Sequence, residues 1–157
     1  MKKNIATLFM ANSTTFTILF LLLTLFTSSC GKDDKKSEIS SSAIVGTWYF
    51  AEGKEYFQPN GGTKKVMDTD EADPTTTLQF KSDGTVISKN NDTGSENGTY
   101  VLGANTLTVK FANPDLGTQT ATVLQLNNTT LVIEDKETGT DDDVPGTWYY
   151  EYTYKKK

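Results

Sequence analysis

The 157-residue sequence sets 15 basic residues, all of them lysine, against 20 acids, with no histidine and one cysteine, for a formal charge of −5. An acidic chain without arginine lacks the basic patch and bidentate clamps that hold nucleic acid or phosphate. Without histidine the usual general base and commonest metal ligand are missing, and a lone cysteine excludes an internal disulfide or thiolate cluster.

The chain opens on Lys2 and Lys3, continues into an apolar run at 16–26 (FTILFLLLTLF), and reaches Thr27, Ser28 and Ser29 before Cys30. That run is short of the roughly 20 residues of a membrane span but suits the core of an export signal. Residues 1–29 are therefore expected to be removed, leaving 128 residues with 13 lysines against 20 acids, a charge of −7. Residues 25–31 (LFTSSCG) resemble the lipobox of bacterial lipoproteins, with Thr27 where a leucine is usual. The resemblance implies acylation of Cys30, and several acyl chains exceed what stable anchoring needs. Lys32, Asp33 and Asp34 follow. They resemble the short acidic signal that sends Bacteroidota lipoproteins to the cell surface, and equally read as the start of a solvated tether over 30–43 ending in serines.

From Ile44 the pattern becomes short alternating runs separated by turn residues. Thr106–Phe111 sends Leu107, Val109 and Phe111 one way and Thr106, Thr108 and Lys110 the other. Residues 77–80 repeat the rule with Leu78 and Phe80, and Ser82-Asp83-Gly84 turns the chain into a strand over 85–89. Strands are also expected over 99–102, 120–126 and 130–134, with further ones at 44–51 and 147–155 and an additional one near Tyr56 or Val66. About eight antiparallel strands with hairpin turns and no sustained helical periodicity predict an all-β, up-and-down barrel or a sandwich over 44–157, and closure of a barrel removes exposed edges.

Several segments together are similar to the lipocalin-like domains of Bacteroidota lipoproteins: IVGTW (44–48), LQFKSDGTV (78–86), NGTY (97–100), NTLTV (105–109) and LQLNNTTLVI (124–133). The resemblance implies an antiparallel lipocalin-like barrel. It also gives Gly46 and Trp48 a structural role, with the tryptophan packing across the closed end.

Trp148, Tyr150, Tyr152 and Tyr154 recur at period two and line one face of the last strand, with Tyr149, Glu151 and Thr153 on the other. Such a row fills a barrel core or lines a ligand pocket; for the second role Trp148, Tyr150 and Tyr152 are the candidates. Two acidic clusters, Asp68/Asp70/Glu71/Asp73 and Asp141/Asp142/Asp143, read as solvated loops, since neither completes a calcium-binding loop. No serine has a histidine partner, and no glycine-rich loop is placed to cradle phosphate. The sequence thus predicts a lipid-anchored outer-membrane protein, without cofactor or metal, whose barrel takes a small, partly apolar ligand. The alternative is an envelope adhesion or accessory protein that holds a protein or glycan through its loops and aromatic surface. A hydrolase working with carboxylates alone is the least favoured reading.

Overall fold

A computed structural model describes residues 42–91 and 94–156. The expected signal segment, Cys30 and the Lys32–Asp34 motif lie outside the described residues.

The chain forms nine strands: β1 (Gly46–Pro59), β2 (Lys65–Asp70), β3 (Asp73–Phe80), β4 (Thr85–Asn90), β5 (Gly94–Leu102), β6 (Thr106–Phe111), β7 (Thr118–Leu126), β8 (Thr130–Asp141) and β9 (Val144–Lys156). Every neighbouring pair is antiparallel, and β1 also pairs with β9, which closes the sheet into a barrel. β2 and β3 pair with successive stretches of the same edge of β1, Gly53–Phe57 and Gly46–Phe50 respectively. They occupy one position of the barrel, so nine strands make an eight-stranded closed sheet.

The first strand runs eight residues further than its alternation suggests. Trp48 and Phe50 face inward, a bulge follows between Phe50 and Glu52, and the inward set then becomes Gly53, Glu55 and Phe57. One inserted residue flips the phase of a period-two pattern, so the strand reads as if it ended at Ala51. β5 and β8 are also longer than expected, because Gly94–Gly98 and Asp135–Asp141 carry almost no apolar residues and are held through backbone pairing to β4 and β9. Asp68 and Asp70 belong to β2 and Asp73 opens β3, which corrects the expectation of a loop there. Asp142 and Asp143 do form a turn, a two-residue connection with φ of 46° and 65° that matches the twist of the β8–β9 hairpin.

Inward residues divide the barrel into two halves. The end where β1 starts is packed with Trp48, Phe80, Val86, Leu107, Leu131 and Tyr154, all buried. Trp48 seals it: its Nε1 donates to the Ile44 carbonyl at 2.6 Å, and the Lys156 ammonium lies 4.9 Å from the ring centroid. Lys156 in turn donates to the carbonyls of Ala43 and Val45 at 3.2 and 2.5 Å. Gly46, at φ +136°, lets this happen, because a side chain there would fall on the Lys156 stem. The Gly-x-Trp spacing thus places a backbone without Cβ beside the tryptophan that a lysine crosses.

Candidate ligand site at the open end of the barrel

β1, β8 and β9 extend beyond the packed half and form a tall wall at the opposite end. Pairing sets Phe57 opposite Trp148, Glu55 opposite Tyr150, Gly53 opposite Tyr152 and Phe50 opposite Tyr154. From the other side β8 sets Glu137, Asp135, Ile133 and Leu131 against the same four aromatics. The period-two row therefore faces the interior along its whole length. Tyr154 and Tyr152 pack against Phe50, with ring centroids 5.8 and 6.4 Å apart, and Trp148 lies against Phe57 at 4.8 Å. Of the three candidate residues, Tyr150 and Tyr152 are buried in this wall, and Trp148 is half-buried near its rim.

The upper part of the wall is acidic. The Tyr150 hydroxyl donates to Glu137 at 2.6 Å. Burial, this bond and the nearby charges of Glu137, Glu55 and Asp135 push the Tyr150 phenol far above its ordinary value. Tyr152 is raised likewise, first by burial and then by neighbours that include Asp70 and Asp135. Burial also raises Asp135, and Glu137 adds to the effect. Asp70 and Asp68 reach this face because β2 pairs them with Gly53 and Glu55. These acids are far apart in sequence and share a face only through closure of the sheet.

Tyr152 and Tyr154 are only 8% and 2% exposed, yet their hydroxyls make no hydrogen bond among the described residues. Polar atoms so placed inside a barrel need water or a ligand as their partner.

On the outside of the same wall, Lys64 reaches back from the β1–β2 connection. Its ammonium lies 4.3 Å from the Tyr56 ring centroid and 4.1 Å from that of Tyr149, and it pairs with Glu134 at 2.9 Å. Burial would raise Glu134, but the hydrogen bonds and charges of Lys64 and Lys136 outweigh it and lower the carboxyl. The outer tyrosines are thus engaged within the chain, which leaves the adhesion alternative less aromatic surface than the sequence suggests. Among the described residues no group of three or more acidic, histidine or cysteine side chains is placed to hold a metal ion.

The sequence profile of the lipocalin-like domain family matches residues 26–133, more than half of the chain. This chain belongs to the lipocalin-like domain family. The chain is also similar to a solved lipocalin-like protein from Bacteroides uniformis ATCC 8492, at 17% identity over 73% of this chain and 99% of that one, with a TM-score of 0.41. No curated protein sequence matches the chain. The family match stops at Ile133, so Asp135, Glu137 and the aromatic row of β9 lie beyond it, whereas Glu55, Asp68 and Asp70 lie within it. Sequence reading singled out the aromatics of that wall but missed Glu55, Asp135 and Glu137. Their only signal was membership of an alternating run with too few apolar residues to reveal a strand.

Proposed function

We propose that this lipocalin-like protein is a lipid-anchored binding protein that takes a small, partly apolar ligand through the open end of its barrel, without catalysing a reaction. The observation that carries the reading is the Tyr152 hydroxyl, set in a nearly buried side chain among aromatic rings and left without a partner among the described residues. A concave, mostly apolar wall with a few convergent polar groups is the usual form of a small-molecule site. The closed half supplies the apolar floor, and Trp148, Tyr150 and Tyr152 supply rings for stacking.

The two tryptophans separate the two ends, Trp48 at the seal and Trp148 at the rim. In a Trp48→Phe background, titration with the neutral fluorophore N-phenyl-1-naphthylamine is expected to quench Trp148 saturably. Tyr152→Ala should weaken that binding roughly tenfold, the loss of about 1.4 kcal/mol of contact. Unsaturable quenching, or an unchanged affinity in Tyr152→Ala, would defeat the proposal.

Placement at the outer membrane rests on the run at 16–26 and on Cys30, with Lys32, Asp33 and Asp34 favouring the cell surface. Cys30→Ala is expected to move the protein out of the membrane fraction and to abolish palmitate labelling; unchanged retention would refute the lipid anchor. Protease shaving of intact cells, with Lys32, Asp33 and Asp34 changed to alanine as the comparison, reports which face displays the domain.

A further inference from the structure

Taking Cys30 as the lipid anchor, as proposed above, we infer that the closed end of the barrel docks on the anionic headgroup layer of the membrane holding that anchor. The tall wall and its aromatic row then point away from the membrane. The described chain begins at the closed end: Ser42 accepts the Val45 backbone N–H, and the carbonyls of Ala43, Ile44 and Val45 are fastened to Lys156 and Trp48. Cys30 precedes Ser42 by 12 residues. A fully extended connection of that length reaches no further than about 40 Å. That bound keeps the closed end near the membrane yet leaves the barrel room to lie on its side, and charge decides between the postures.

The two ends carry opposite charge. The closed end consists of the chain entry, the turns at 81–84, 103–105 and 127–129, and the end of β9. Its charged groups among the described residues are Lys81, Lys155 and Lys156 against Asp83, and Lys157 follows in the sequence. Lys81 and Lys155 are exposed. Lys155 donates to the Thr130 hydroxyl at 2.8 Å and Lys156 to two backbone carbonyls, neutral partners that leave the positive charge in place. Asp83 is committed to its own turn, where it accepts the Thr85 N–H and hydroxyl. The turns and strand ends opposite carry Glu71, Asp115, Asp141, Asp142 and Asp143 against Lys64 and Lys65, and Lys64 is paired with Glu134.

A body charged in this way turns in the field of an anionic surface. That field decays within about 8 Å at physiological salt. Lys156 and Trp148 lie eight residues apart on β9, roughly 25 Å along the strand. A barrel standing on one end therefore shows the membrane only the charges of that end. Each lysine brought into the headgroup layer multiplies the population in contact roughly fivefold, while the acidic turns are repelled. An anchor holds the domain permanently close, so attraction of this size is enough to set its posture. Lys81 and Lys155 stand on different elements, the β3–β4 turn and β9, with β1 and β3 between them. Lysines spread in this way suit a layer of many headgroups better than a single bound phosphate.

The test uses the protein extracted from its own envelope and reconstituted with vesicles of phosphatidylethanolamine and phosphatidylglycerol that carry a dansyl-headgroup lipid. Trp148→Phe leaves Trp48 as the energy donor at the closed end, and Trp48→Phe leaves Trp148 at the other. Transfer from Trp48 to the dansyl groups is expected to exceed transfer from Trp148 at least about threefold, given the separation along the barrel. The excess should fall below about 1.5-fold at about 0.5 M salt, and likewise when phosphatidylcholine replaces phosphatidylglycerol. Charge reversal at two exposed positions, Lys81→Glu with Lys155→Glu, should do the same at low salt, with circular dichroism confirming the fold. Failure of the protein to float with the vesicles would overturn the anchor and this orientation together. Flotation with equal transfer from the two tryptophans would overturn the orientation and leave the anchor standing. An excess that survives both salt and neutral lipid would overturn headgroup attraction as its cause.

Discussion

Replacing Trp48 by alanine is expected to remove about 3–5 kcal/mol of stability, a large part of the 5–15 kcal/mol that a domain of this size possesses. Trp48 is fully buried, and its truncation opens a cavity at the closed end that Ile44, Leu78 and their neighbours fill only in part. The change also removes the donor to the Ile44 carbonyl and the ring that Lys156 crosses. That carbonyl and the Lys156 ammonium would then have to find water, adding the desolvation penalty of groups left without partners. Urea unfolding followed by far-ultraviolet circular dichroism measures the loss as a lowered midpoint. Lys156→Met keeps the stem over the ring and deletes the charge, so it should lose only about 1 kcal/mol, from the bonds to Ala43 and Val45. Equal losses in the two variants would mean that the lysine, and not the indole, holds the seal together.

Gly146→Ala should be the second most damaging change, at about 1–3 kcal/mol with disruption of the open end. A Cβ at Gly146 would strike the backbone carbonyl of Gln58 and come within 2.5 Å of Phe57 Cζ. The ring can turn, but the carbonyl belongs to the β1 backbone that pairs with β9 and cannot move without breaking the ladder. Gly139 provides the internal control. A Cβ there meets only the Trp148 side chain, with Cδ1 at 3.1 Å, so Gly139→Ala should lose well under 1 kcal/mol while shifting the Trp148 emission. These glycines let the Phe57 and Trp148 rings lie against bare backbone, in the way an aromatic side chain covers a glycine in a designed sheet. Near-equal effects at the two positions would show that ring packing, and not the backbone contact, sets the cost.

Much of the barrel was legible because its core strands obey alternation without interruption. Leu107, Val109 and Phe111 announce β6, and Leu78 and Phe80 announce the end of β3. The turns carry their own chemistry: in the β3–β4 connection Asp83 accepts the Thr85 backbone N–H and hydroxyl at 2.9 and 2.6 Å, and Gly84 supplies a φ of +83°. The candidate site was legible only in its aromatic row. Its acids sit on stretches whose strand character comes from backbone pairing, or on β2, where every side chain is exposed and no buried face marks the register.

By itself, the sequence determined an all-β domain of hairpin-linked strands, the inward face of the last strand, and the lipocalin-like family. Period-two burial and turn residues are local properties, written within a few residues of one another. Only the tertiary structure decided which acids meet. The bulge in β1 rephases Glu55 onto the inner face, the β1–β9 pairing sets it across from Tyr150, and β8 brings Asp135 and Glu137 alongside. Register between strands some 90 residues apart depends on how the whole sheet closes, and no short stretch of sequence encodes it.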